Sequence, residues 1–227
     1  MPRTTILTAT YQPEKLKYLR EAAESVYAQT DTDWQWVIVV DGGPQEVFEE
    51  VHRITAGSRK VYVWRKDTTE EERKLVYSPA VIFNYLADAL DTPRFCWLSD
   101  DDLLRPQYLE LLNAKLDETG GDIAFGAIQY AAENGRGHFH LTNITGLKDC
   151  YYPGSPHDPC GTLDGGCFVQ TKKSWDELGW KWPTDWKDAW QVDGLYMRKL
   201  MEKHRFHHVQ KVLLTHRRTR VSTHSKP

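Results

Sequence analysis

The chain has 227 residues, a formal net charge of −3 and 40% hydrophobic residues, which suits one α/β domain with a sizeable core. The near-neutral balance excludes a uniformly basic nucleic-acid binder, although a local basic patch stays open. No apolar run approaches the roughly 18 residues of a membrane-spanning helix, and the opening MPRTTILTATYQP lacks the apolar core of a secretory signal, so a soluble cytoplasmic protein is expected.

TTILTAT, Thr4 to Thr10, reads as a short strand. Pro13 to Gln29 places Leu16, Leu19, Ala23 and Val26 on one helical face. WQWVIVVDGG is a strand whose unbroken apolar run suits burial on both faces. Gln45 to Ala56 repeats the helical spacing with Val47, Val51 and Ile54, and KVYVWR is a third strand. Ser78-Pro79 predicts a helix start, Ser as N-cap and Pro in the first turn, running to about Leu90 with Ile82, Tyr85, Leu86 and Ala89 inward. RFCWL is the fourth strand, Pro106 to Thr119 a helix stopped by Gly120-Gly121, and DIAFGAI the fifth strand.

Strands alternating with helices imply right-handed βαβ units and a largely parallel sheet, with all strand C-terminal ends on one edge. Ligands bind at that edge in open α/β sheets. Thr8 to Tyr11, Asp41 to Gly43 and Asp100 to Asp102 all follow strands and should converge there.

The second half changes texture. Residues 129–162 are rich in Gly, Pro, His and Asn and read as loops with a hairpin. GGCFVQT reads as a strand, Lys172 to Leu178 as a short helix, Val192 to Lys203 as a helix with Leu195, Tyr196, Lys199 and Leu200 on one side, and FHHVQKVLL as a late strand before a basic tail. The four cysteines, Cys96, Cys150, Cys160 and Cys167, show no CxxC spacing. They read as reduced thiols, with a Cys150–Cys160 bridge or a zinc site including His157 as the alternatives.

The stretch FCWLSDDDLLRP runs three carboxylates off the end of a buried strand. Two carboxylates about 5 Å apart repel by about 3 kcal/mol at an effective dielectric of 20, so three in a row need water, protonation or a cation. Either the loop is fully solvated, or the acids hold a hard divalent ion, Mg²⁺ or Mn²⁺, of the kind that also takes phosphate oxygens. Other phosphate chemistries lack their signatures: there is no GxxxxGK[ST], no GxGxxG follows a strand, and the first strand carries no acid.

TTILTATYQPEKLKYLREAAESVYAQTDTDWQWVIVVDGG followed by CWLSDDDLLRPQYLE resembles the nucleotide-sugar half of a family 2 glycosyltransferase with the GT-A fold, closely over about residues 4–128 and less so from 129 onward. The resemblance implies a Rossmann-like, mostly parallel central sheet flanked by helices in one GT-A domain. Residues 1–128 would bind the nucleotide sugar, and 129–227 would form an irregular acceptor half with a basic tail. It further implies that Thr8, Ala9, Thr10 and Tyr11 border the base and ribose, that Asp41 accepts a hydrogen bond from the base, and that Asp100 lies near the ribose. Asp101 is then the main metal ligand, and Asp102 binds the metal through water or orients the sugar. Lys74 and Asn84 fall where donor contacts are expected, although the usual Arg-Asn pair reads Phe83-Asn84 here. Asp41 could instead shape the turn before Gly42-Gly43, Thr8 and Thr10 could be plain strand residues, and Asn84 a polar helix position.

An inverting transfer needs a base for the acceptor hydroxyl, and in this family that base is an acid opening a late helix, often within Glu-Asp. Val192-Asp193 stands there, making Asp193 the candidate base or a helix cap, with Asp164, Asp185 and Asp188 in reserve. LDGGCF resembles the family's glycine-containing acceptor-side strand. His216 follows the last strand and is either a late metal ligand or an exposed histidine, with His224 its rival. Arg217, Arg218 and Arg220 either close over the diphosphate or form a solvated terminus. The crowding of Trp175, Trp180, Trp182, Trp186 and Trp190 suits a sugar or base platform, or core packing. The expected function is metal-dependent inverting transfer of a hexose from a nucleotide sugar, a UDP-sugar by preference, to a hydroxyl acceptor such as a glycan. The alternatives are transfer to a modified base in DNA and a non-catalytic sugar-nucleotide-binding module.

Overall fold

The computed structural model describes residues 1–134, 138–146 and 151–219, apart from the Trp190 side chain. Cys150, Arg220 and His224 lie outside the described residues.

In chain order the elements are β1 (Thr4–Thr10), α1 (Leu16–Tyr27), β2 (Trp34–Asp41), α2 (Gln45–Ile54), β3 (Val61–Lys66), α3 (Glu70–Leu75), α4 (Ser78–Ala89), β4 (Arg94–Trp97), β5 (Leu103–Leu104) and α5 (Tyr108–Thr119). There follow β6 (Ile123–Glu133), β7 (Phe139–Thr145), β8 (Phe168–Thr171), α6 (Lys172–Leu178), α7 (Val192–Lys203) and β9 (Phe206–Arg218). Among the described residues the strands form a single mixed sheet in the order β3-β2-β1-β4-β8-β6-β9-β5, with β7 paired to β6.

The first four strands are parallel, as their alternation with helices requires. β8 then runs antiparallel between β4 and β6, so β6 points the same way as β4. β9 is parallel to β6 over most of its length, with two register shifts between Gly126 and Ile128. Two consequences position the site. The C-terminal ends of β1, β2, β4 and β9 share one edge. Because β8 is reversed, the turn that precedes it, Asp164 to Cys167, lies at that same edge.

The core sits on both faces of the sheet. Trp36 to Val40 of β2 are all buried, as their continuous apolar run predicts. Leu19, Ala23 and Val26 of α1 are buried against the sheet, and Gly120 ends α5 in the left-handed region, at φ +62°. Some expectations need correction. Tyr77, not Ser78, occupies the N-cap of α4, and Tyr85 and Ala89 face solvent while Ala80 and Ala87 are buried. In α7 the buried face is Val192, Tyr196, Met197 and Leu200, so Leu195 and Lys199 are rotated off it. Helix α3 was not legible from apolar spacing because it buries nothing; a reciprocal capping box between Thr69 and Glu72 supports it instead. Cys96, Cys160 and Cys167 are free thiols.

A candidate active site at the strand ends

A cleft of about 660 Å³ opens at the shared edge, and its walls include Ala9, Thr10, Tyr11, Asp41, Asp100, Asp101, Asp193 and His216. Most of the residues singled out in the sequence therefore face one space. Thr8 and Asn84 have other partners. The Thr8 hydroxyl, fully buried, donates to the Leu98 carbonyl at 2.8 Å and accepts from Trp36 Nε1 at 2.9 Å, tying three strands together. The Asn84 amide clips the Trp182 backbone in both directions, at 2.9 Å each. Lys74 pairs with Glu70 at 3.1 Å on the surface of α3.

At one end of the cleft, Asp41 closes β2 beside Tyr11. Its Oδ1 accepts from the Thr68 hydroxyl, while its Oδ2 is buried and has no hydrogen-bond partner among the described residues. A buried carboxylate oxygen without a donor is costly, and a ligand N–H would satisfy it. The turn after Asp41 depends on glycine: Gly42 has φ +70°, and a Cβ there would lie 2.4 Å from the Thr68 carbonyl oxygen. Arg73 joins this end, its Nη1 donating to the Asp41 carbonyl at 2.6 Å and its guanidinium 5.2 Å from the Tyr11 ring centroid. Sequence reading selected the neighbouring Lys74; the helical phase of α3 turns Arg73 inward instead.

The three consecutive aspartates have three environments. Asp100 Oδ1 and Asp101 Oδ2 both accept from Lys15 Nζ, at 3.0 and 2.9 Å. Burial pushes the Asp100 carboxyl up to about 6, with Lys15 opposing and Asp101 reinforcing the shift. Burial works against the Lys15 charge, yet Asp100 and Asp101 outweigh it and hold the ammonium above the ordinary lysine range. Asp101 Oδ2 also accepts from the Thr219 hydroxyl at 3.1 Å. Asp102 is fully buried, with Oδ1 on the Arg217 backbone N–H at 2.8 Å and Oδ2 3.2 Å from His216 Nδ1. Part of the cation that the triple acid demands thus comes from the chain itself.

His216 stands between two acids, since Asp164 Oδ2 is 3.3 Å from the same Nδ1. Burial opposes its protonation, but Asp102 and Asp164 overcome this and lift its pKa to about 10. Asp102, Asp164 and His216 each offer one ligand atom, all within 4.8 Å of one another. Two carboxylate oxygens and an imidazole nitrogen fit Mn²⁺ or Mg²⁺, the nitrogen favouring Mn²⁺. Asp101, the carboxylate expected to lead the metal set, is not in this group but beside it, held by Lys15.

Asp193 lies in the first turn of α7 and faces the cleft. Its Oδ1 accepts from the Gly194 N–H at 2.8 Å and its Oδ2 from the Gly165 N–H at 3.0 Å. Gly165 allows this approach, because a Cβ there would meet Trp182 Cη2 at 2.8 Å and Asp193 Cβ at 3.4 Å. Asp185 caps the short turn before α7 through the Lys187 N–H and does not join the cleft wall. Of the tryptophans, Trp182 reaches the cleft and Trp175 packs in the core. Arg217 is buried: its guanidinium bonds Glu21, the Tyr18 carbonyl and the Asp101 carbonyl, so it fastens β9 to α1. Both Arg217 and Arg218 line the cleft, and Arg218 lies 5.2 Å over the Tyr130 ring.

Glycosyl transferase family 2, as a sequence family, matches residues 5–179. No curated protein sequence matches the chain. Among solved structures, S. aureus TarS 1-349 in complex with UDP-GlcNAc aligns at a TM-score of 0.77 and 17% identity, covering 99% of this chain and 61% of that one. S. aureus TarS 1-349 aligns at 0.73 and 18%, covering 94% and 60%. A longer S. aureus TarS structure aligns at 0.71 and 17%, covering 94% and 36%. The chain therefore spans about 60% of the length of the TarS 1-349 structures. Identities this low speak for the fold, a mixed α/β sheet flanked by helices of the GT-A type. The match in sequence covers most of the chain and agrees with that fold: the chain belongs to glycosyl transferase family 2.

Proposed function

We propose that the protein is a metal-dependent, inverting glycosyltransferase that moves a hexose from a UDP-sugar to a hydroxyl acceptor, a glycan by default. The observation that carries this reading is the joint presence in one cleft of Asp41, whose buried Oδ2 has no donor among the described residues, an acid–histidine group and a helix-borne aspartate. The similar TarS structure that binds UDP-GlcNAc supports a uridine nucleotide as donor. Residues 1–128 would take the donor, and those from 129 onward would shape the acceptor side.

In this reading Asp41 Oδ2 accepts the N3–H of uracil, with Tyr11 and Arg73 bordering the base, and Asp100 faces the ribose. Asp102, Asp164 and His216 would hold a divalent ion, with Asp101 next to it. When bound, that ion neutralises the charge of the departing diphosphate. The acceptor oxygen attacks the anomeric carbon as the anomeric C–O bond to phosphate breaks, and the nucleotide diphosphate leaves with the bonding electron pair. Asp193 takes the acceptor's hydroxyl proton. The backbone N–H groups of Gly165 and Gly194 orient its carboxylate for that transfer.

The test is release of free UDP from UDP-hexoses with Mn²⁺ and with EDTA. Slow metal-dependent hydrolysis without acceptor is expected, because a transferase admits water to its donor site. A UDP-sugar that binds but is never cleaved, with any acceptor offered, would leave a non-catalytic module.

A further inference from the structure

Lys15 was not among the residues that the sequence marked. It ends the 3₁₀ turn Pro13–Lys15 that leads from β1 into α1, and its side chain is almost wholly enclosed, 4% exposed. The two carboxylates it bonds are also largely enclosed, with side chains 6% and 12% exposed for Asp100 and Asp101. A buried ammonium between two buried acids is a strong electrostatic clamp, because little water screens it. Lys15 also lines the same cleft as Asp164 and His216 of the acid–histidine group. A divalent ion entering there meets a fixed positive charge and finds one carboxylate, Asp101, already engaged. A nucleotide diphosphate brings two or more negative charges to the same space and reverses that balance.

We propose that Lys15 is a resident counter-cation that withholds Asp101 from a divalent ion and makes ion binding conditional on the nucleotide diphosphate. The inference rests on the metal-dependent donor site proposed above and adds an order to its filling: the ion alone binds weakly, and ion and nucleotide bind synergistically. Linkage makes the synergy reciprocal, so UDP binds more tightly with Mn²⁺ by the same factor. Lys15 is a positioning residue here, acting through the carboxylates it holds.

The experiment is titration of the full chain with Mn²⁺, alone and with saturating UDP, following free Mn²⁺ by electron paramagnetic resonance. In the wild type, UDP should tighten Mn²⁺ binding by about tenfold or more. In Lys15→Met, Mn²⁺ alone should bind about tenfold more tightly than in the wild type, and the synergy should shrink accordingly. Lys15→Gln, which keeps a hydrogen-bond donor without the charge, should behave like Lys15→Met. Lys15→Arg should behave like the wild type, which keeps the test intact if the Met variant folds poorly. A purely structural lysine predicts the opposite: loosened acids and weaker Mn²⁺ binding in both neutral variants. Unchanged or weaker Mn²⁺ binding in the neutral variants, with normal Mn²⁺–UDP binding in the wild type, overturns the role of Lys15 and leaves the donor site standing. Mn²⁺ that binds no variant, with or without UDP, overturns both.

Discussion

Asp164 and His216 meet across the cleft, Oδ2 to Nδ1 at 3.3 Å, although one precedes the reversed strand β8 and the other lies near the C-terminal end of β9. Only the mixed sheet order brings them together. If they hold the ion, Asp164→Ala and His216→Ala should each raise the Mn²⁺ concentration needed for half-maximal thermal stabilisation with UDP by at least about tenfold. EDTA should abolish the stabilisation in the wild type. Unaltered Mn²⁺ dependence in both variants would move the ion to Asp101 alone.

Asp193→Asn should keep UDP-sugar binding but reduce transfer by about 10²- to 10⁴-fold, the range of general-base contributions. The amide oxygen can still accept one backbone N–H, so the first turn of α7 should persist. Single-turnover rates against donor-binding titrations separate the two effects. Near-normal turnover would return Asp193 to the role of a residue that fixes the Gly165 turn.

Asp41→Ala removes the unpaired acceptor at the base end. UDP affinity should fall by at least about tenfold, the loss of a hydrogen bond to a charged group. CDP affinity should change little, because cytosine has no N3–H to donate. Calorimetric titration of both nucleotides checks this, and an equal loss for both would mean that Asp41 supports the turn and not the base.

Tyr108 is fully buried, and its hydroxyl serves the carbonyls of Gly166 and Phe168 at 2.8 and 3.0 Å. Tyr108→Phe leaves those carbonyls without their donor and should cost about 1–3 kcal/mol, read from the urea midpoint. One of these carbonyls lies in the turn that carries Gly165 and the other directly after it, so kcat should fall while the donor KM stays nearly constant.

The first half of the fold was legible because local pattern and tertiary role coincide there. Val37 to Val40 read as a doubly covered strand and are one, and Gly120 read as a helix stop and is one. The residues at the ends of β1, β2 and β4 could be assigned to one edge from topology alone. The second half resisted because its contacts are long-range. β6 extends to Glu133 and β9 to Arg218 through mutual pairing that no local window reveals. The sequence marks Asp164 only as a reserve base, since its partnership with His216 depends on the reversal of β8. Lys15 carried one usable sign, a cation in the βα turn directly after the first strand, but its burial between two acids is a tertiary fact. Arg73 and Lys74 differ only in helical phase, which a six-residue helix without an apolar face does not encode.

Thr219, directly after β9, is itself a fixture of the cleft: its hydroxyl bonds Asp101. Before β1, Arg3 is tied to Asp117 at the opposite edge of the sheet. Anything fused after the carboxyl side of β9 therefore departs from the rim of the reaction space. Affinity handles, fluorophores and surface tethers belong on the amino side, where they leave the mouth open. A carboxyl-terminal handle that depresses donor binding while an amino-terminal one does not would report this asymmetry directly.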